Sequence, residues 1–120
     1  DIVVPVSEIP KALEGIAKIA AKHSCRIPSA GHAGDGNIHC TILREDRDEH
    51  TWHELKDAVL PEIYELTYSL GGNLSGEHGI GAKRAEAMDR HMTPEQKTVF
   101  TLVKKAFDPN GIMNPGKVLI

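Results

Sequence analysis

The chain has 120 residues, of which 40% are hydrophobic and 26% charged, and a formal net charge of −3. That length suits one ordinary domain with its own core; the negative charge and the 4% aromatic content argue against a nucleic-acid backbone partner and against base-stacking surfaces. There is no apolar run of about 18 residues for a membrane helix and no visible signal peptide. Cys25 and Cys40 form no CxxC pair, so reduced thiols in a cytoplasmic setting are expected.

The first residues, Asp1 to Pro5, read as a short β-branched strand. Ser7 reads as an N-cap with Pro10 in the first turn. Ile9, Ala12, Leu13, Ile16, Ala17 and Ala20 then follow the i, i+3, i+4, i+7 spacing of an amphipathic helix ending near His23. Cys25 to Pro28 is expected as a short strand, Gly31 to Asn37 as a glycine-rich loop, and Ile38 to Leu43 as the next strand. Alternation on that strand puts Ile38 and Cys40 on one face, His39 and Thr41 on the other.

A second helix is expected from about Thr51 to Leu70, with the stripe Trp52, Leu55, Val59, Ile63, Leu66 and Leu70. Pro61 inside it predicts a kink or break, and Gly71-Gly72 its end. After a loop from Asn73 to Gly81, a short helix is expected over about Lys83 to Asp89. Thr93, Pro94 and Gln96 spell the capped start of a last helix whose stripe is Val99, Leu102, Val103 and Ala106. Asp108 to Gly111 is a turn, and Asn114 to Lys117 leads into a short extended tail. The order of elements predicts an α+β sandwich with a right-handed βαβ crossover made by the first strand, the first helix and the next strand. No linker is evident, and one domain is expected. An opening at Asp1, already inside a strand pattern, leads to the expectation that the chain is part of a longer protein.

Three segments combine glycine with polar residues: GHAGDGNIH (31–39), GEHGIG (76–81) and NPGK (114–117). Glycines at 31, 34 and 36 let the first segment curl and bring His32 and His39 to one point, as imidazoles meet at zinc or a similar ion. Glu77 is the best candidate for a third, carboxylate ligand, which leaves an open position for substrate. The plain alternative makes both histidines turn residues. Asp35 is a further candidate ligand, a cap of its own turn, or a group that orients an imidazole. The spacing of GEHGIG is wrong for the dinucleotide fingerprint. Adjacent side chains are expected to diverge, so Glu77 would face a metal and His78 a substrate as acid or base. His50 and His53 read as a solvated helix end, and Lys104-Lys105 as a solvated face.

Together, DIVVPVSEIP, GHAGDGNIH, SGEHGIG and FDPNGIMNPGKVL resemble, in this order and over essentially the whole chain, the C-terminal (cap) domain of FAD-linked oxidases of the vanillyl-alcohol-oxidase superfamily. That group includes the glycolate oxidase flavin subunit, D-lactate dehydrogenases and D-2-hydroxyglutarate dehydrogenase. The resemblance implies a ferredoxin-like cap-domain portion followed by C-terminal helices, residues 1–120, with FAD held mainly by an N-terminal domain absent here. It implies a divalent metal, commonly zinc, on His32, His39 and Glu77, with His78 as catalytic base or substrate partner. Asn114 in NPGK would approach FAD, or serve as a turn residue. Some members carry Asn two residues after the second motif histidine, where it contacts substrate; here Thr41 stands there. The implied reaction is oxidation of a 2-hydroxy acid such as glycolate or D-lactate to the 2-keto acid. The implied partners are that small acid and an iron–sulfur acceptor subunit, with membrane association only through partner subunits. Self-association of the fragment into a homodimer is a further expectation, through the face meant for the flavin domain. The isolated fragment is expected to be inactive. A non-enzymatic metal- or ligand-binding α+β module and a pure interaction domain are the competing readings.

Overall fold

A computed structural model of the chain describes residues 1–119. It is α+β, as expected: strand β1 (Ile2–Val3), helix α1 (Ile9–Lys22), strands β2 (Ser29–His32) and β3 (Asn37–Cys40), and helices α2 (Glu49–Ser69), α3 (Ala85–His91) and α4 (Pro94–Phe107). Two compact units divide it, residues 1–78 and residues 79–120.

In the first unit the sheet order is β1-β3-β2, and both outer strands run antiparallel to β3. β1 and β2 are therefore parallel to one another, joined by α1, with β3 inserted between them. The expected βαβ crossover is present in this split form. A single antiparallel bridge, Val3 to Asn73, extends the order past β1. Ile2, Val4 and Ile38 from the sheet meet Ala12 and Ile16 from α1 and Val59 and Ile63 from α2 in one buried core. Ile2 pairs with Ile38, so the residues next to them in sequence face away from this core. α1 and α2 pack closely: a Cβ added at Gly15 would come within 2.5 Å of Leu66 Cδ2, and Glu62 on α2 holds Lys22 Nζ and His23 Nε2, each at 2.8 Å.

Several boundaries differ from expectation. Ser7 is no cap; Val6–Glu8 form a 3-10 turn, and α1 starts on Glu8 without a side-chain cap. The core face of α1 is Ile9, Ala12, Ile16 and Ile19, while Leu13 is exposed, because the sheet covers a narrower arc than the full apolar stripe. The strand expected over Cys25 to Pro28 lies later, at Ser29–His32. Before Pro28, whose ring removes a donor, only isolated bonds join the segments, such as Leu43 N to Arg26 O at 3.0 Å. α2 begins two residues early, capped by Asp48, whose carboxylate accepts the Thr51 N–H at 2.8 Å. It runs unbroken through Pro61: buried Val59 and Ile63 on either side anchor it, and their packing outweighs one missing hydrogen bond. No described helix is long and apolar enough to cross a membrane.

In the second unit α4 carries the expected capping box: Thr93 Oγ1 accepts from Gln96 N, and Gln96 Oε1 accepts from Thr93 N. Its predicted stripe is not covered; Val99, Leu102, Val103 and Phe107 are exposed. Lys104, expected as a solvated cation, instead bridges the Asp108 carboxylate and the Met113 carbonyl. Asp108 also accepts the N–H groups of Ile112 and Met113 at 2.9 and 3.0 Å, so this side chain builds the turn. The tail after it is a series of turns rather than an extended strand, with Asn114 and Val118 in the left-handed region. Cys25 and Cys40 are free thiols.

Candidate metal centre

Sheet register assembles the site on the face away from α1 and α2. Because Ile2 pairs with Ile38, Asp1 stands opposite His39; because Ala30 pairs with His39, His32 falls on that face as well. The Val3–Asn73 bridge carries the following loop, Ser75 to His78, alongside Asp1.

The loop is pinned by one carboxylate. Asp1 Oδ2 accepts the Ser75 hydroxyl at 2.7 Å and the His78 N–H at 3.0 Å; Oδ1 accepts the Gly76 and Glu77 N–H groups at 3.3 Å and Asn37 Nδ2 at 2.7 Å. Three successive amides curling around one anion form a nest. Gly76 is required there, since a Cβ would lie 1.7 Å from Asn37 Nδ2. Gly36, with φ +76°, ends the 3-10 turn Ala33–Asp35 and feeds β3.

The curl aims the side chains at one point. Glu77 Oε1 lies 3.0 Å from His39 Nε2, 3.5 Å from His32 Nε2 and 3.6 Å from His78 Nε2. His78 stacks on His39 with centroids 5.1 Å apart, and His32 meets His39 edge-on at 5.7 Å. The divergence expected for Glu77 and His78 does not occur, because the nest turns both residues inward. Three imidazoles and a carboxylate with nitrogens and oxygen free to coordinate are the donor set that holds zinc or a similar divalent ion.

A second grouping takes Asp1, His39, Glu77 and His78, whose ligand atoms lie within 4.8 Å of one another. Asp1 is the weaker ligand of the two candidates, Asp1 and His32. Its side chain is 2% exposed and already accepts five hydrogen bonds, about the capacity of a carboxylate. His32, 60% exposed, has its ring nitrogen available. Asp1 is also the residue that the sequence reading missed as part of the site; only strand parity relative to Ile2 could have flagged it.

The other candidates are not among these converging groups. Asp35 is exposed in the 3-10 turn, and the Asp1 carboxylate lies 4.0 Å from His39 Nδ1. Thr41 is exposed just beyond β3, with its N–H bonded to Pro28 O at 3.0 Å. Asn114 lies in the second unit, lining a cavity of about 510 Å³ with Phe100, Val103, Lys104 and Phe107. His50 and His53 pair with Glu54 and Glu49 on the surface of α2. Burial pushes the Cys40 thiol above its ordinary range, which disfavours the thiolate as a ligand.

The model of the family described as FAD linked oxidases, C-terminal domain, matches residues 1–118. The chain belongs to this family. It is 39% identical over 117 residues to the glycolate oxidase subunit GlcD of Escherichia coli (strain K12), covering 98% of this chain and 23% of that protein. It is 36% identical over 121 residues to the D-2-hydroxyglutarate dehydrogenase of Stutzerimonas stutzeri, covering 98% of this chain and 26% of that protein. It is also 36% identical over 119 residues to the D-lactate dehydrogenase of Archaeoglobus fulgidus, covering 99% and 26%. The chain thus spans about a quarter of the length of the curated relatives it matches.

Proposed function

We propose that the chain is the substrate- and metal-binding C-terminal part of a flavin-dependent dehydrogenase that oxidises a 2-hydroxy acid to the 2-keto acid. The observation that carries this is the meeting of His32, His39 and His78 nitrogens around Glu77 Oε1 at 3.0–3.6 Å. Substrate choice among glycolate, D-lactate, D-2-hydroxyglutarate and similar acids follows the names of the relatives.

His32, His39 and Glu77 would hold the ion, with zinc the first candidate. When bound, such an ion supplies positive charge that anchors the acid's oxygens and makes the hydroxyl easier to deprotonate. His78, 61% exposed and stacked on His39, stands at the open side of the cluster. It takes the hydroxyl proton there, and Glu77 beside it offers the counter-charge. Thr41, two residues after His39 and just beyond β3, would supply a hydroxyl toward the substrate in place of an amide.

The amides of residues 76–78, a nest beside the site, are engaged by Asp1. The flavin belongs to the rest of the protein, with Asn114 as the point of approach from this chain, and it supplies the acceptor for the α-hydrogen. An iron–sulfur acceptor subunit, a cytoplasmic setting and self-association through the exposed apolar residues of α4 belong to the same reading.

The test is metal analysis and zinc calorimetry on the full chain and on His32→Ala, His39→Ala and Glu77→Ala, with oxidation of the three acids followed by dye reduction in the flavin-loaded full-length protein. Stoichiometric zinc that disappears in each variant supports the ligand set. Undiminished metal in all three rejects it.

A further inference from the structure

We infer that Asp1 is a positioning residue for this site: its carboxylate fills the amide nest of residues 76–78 and thereby aims Glu77 and His78 at His39. The inference rests on the proposed metal site and names what builds it. Neither Glu77 nor His78 lies in a helix or a strand, so no ladder of hydrogen bonds fixes their backbone. What fixes it is Asp1, which receives the N–H groups of Gly76, Glu77 and His78 and the Ser75 hydroxyl. The same carboxylate is held from the sheet side by Asn37, itself 5% exposed, the residue that precedes Ile38-His39 on β3. One buried anion therefore ties the strand bearing His39 to the loop bearing Glu77 and His78.

The arrangement distinguishes Asp1 from a ligand and from a mere structural filler. Its oxygens are consumed by donors, so it acts through others. It also stands 4.0 Å from His39 Nδ1 while Glu77 faces Nε2 of the same ring. That distance is beyond hydrogen-bond range, so Asp1 reaches His39 through Asn37 and the loop rather than by a bond of its own. Groups that hold ligating side chains in place typically carry about 10–100-fold of metal affinity.

Asp1→Asn, of the same shape, turns an amide NH₂ toward the loop's donors; Asp1→Gly empties the nest and leaves room for a small carboxylate. Zinc calorimetry on the full chain should show both variants about 10–100-fold weaker with the helical circular dichroism retained. Added formate should restore affinity to Asp1→Gly and not to Asp1→Asn. Unchanged affinity in both variants, or a loss that formate leaves untouched, overturns the inference. Amide hydrogen exchange of Glu77 and His78 separates it from the metal reading. If the unaltered chain binds no zinc, the metal site fails, yet faster exchange of these two amides in Asp1→Asn still supports Asp1 as the loop's anchor, and equal exchange overturns it.

Discussion

Glu77 Oε1 stands 3.0 Å from His39 Nε2, although the whole of α2 separates the two residues in sequence. The contact joins the two glycine-rich segments into one site. It exists because the loop after α2 returns to the edge of β1 at Asn73 and curls around Asp1.

In the proposed site, Glu77 and His39 would serve ligand binding rather than folding. Glu77→Ala is expected to abolish zinc uptake while shifting stability by no more than about 0.5 kcal/mol, as for surface substitutions away from packing. The carboxylate is 47% exposed. Paired calorimetry and urea denaturation check this; a large loss of stability with zinc uptake intact would contradict it.

Gly76→Ala should damage both. The new methyl would meet Asn37 Nδ2 at 1.7 Å, so either Asn37 leaves Asp1 or the loop backs away. A cost of about 1–3 kcal/mol is expected, as for overpacking, together with weaker zinc binding. Urea midpoints and calorimetry report the two effects separately.

Ile63→Ala tests the core beneath the sheet. Ile63 is 2% exposed and packs with Val59, Ile16 and Ile38. The substitution should cost about 2–5 kcal/mol, a large part of the 5–15 kcal/mol typical of a domain. The denaturation midpoint should fall with little change in slope.

Thr93→Ala removes the α4 cap. Both halves of the capping box are made, with Gln96 N 3.3 Å from Thr93 Oγ1. A loss of about 1 kcal/mol is expected, read as faster amide exchange in the first turn of α4 with zinc affinity unchanged.

Asp108 makes part of the stability acid-sensitive. The Lys104 ammonium beside it, then the N–H groups of Met113 and Ile112, hold its carboxyl below the usual range. A lowered native pKa means that the contribution is complete above the unfolded Asp value of about 3.9 and is lost as pH falls through the native value. Asp108→Asn should therefore melt lower than the unaltered chain at pH 7. The gap should close as both are titrated toward pH 2; a gap that stays constant with pH would contradict this.

Much of the fold was legible because local rules decide it. The α4 cap needs only Thr93, Pro94 and Gln96, and the stripe of α2 from Leu55 to Leu70 reads directly from helical spacing. Where neighbours decide, the reading slipped. Pro61 does not break α2, since Val59 and Ile63 are locked in the core. The stripe of α4 stays exposed, since amphipathicity marks an apolar face without saying what covers it. Lys104 reads as a surface cation until the turn at Asp108 folds back onto it.

The site divides in the same way. The sequence by itself singled out His32, His39 and Glu77 as candidates, because they lie in glycine-rich segments whose order marks the family. Only the tertiary structure decided that His78 shares their point of convergence and that Asp1 anchors the loop. The physical reason is register: the pairing of Ile2 with Ile38 turns Asp1 and His39 to the same face, and a hydrogen-bonded nest around one carboxylate is a relationship between distant segments that no local spacing records.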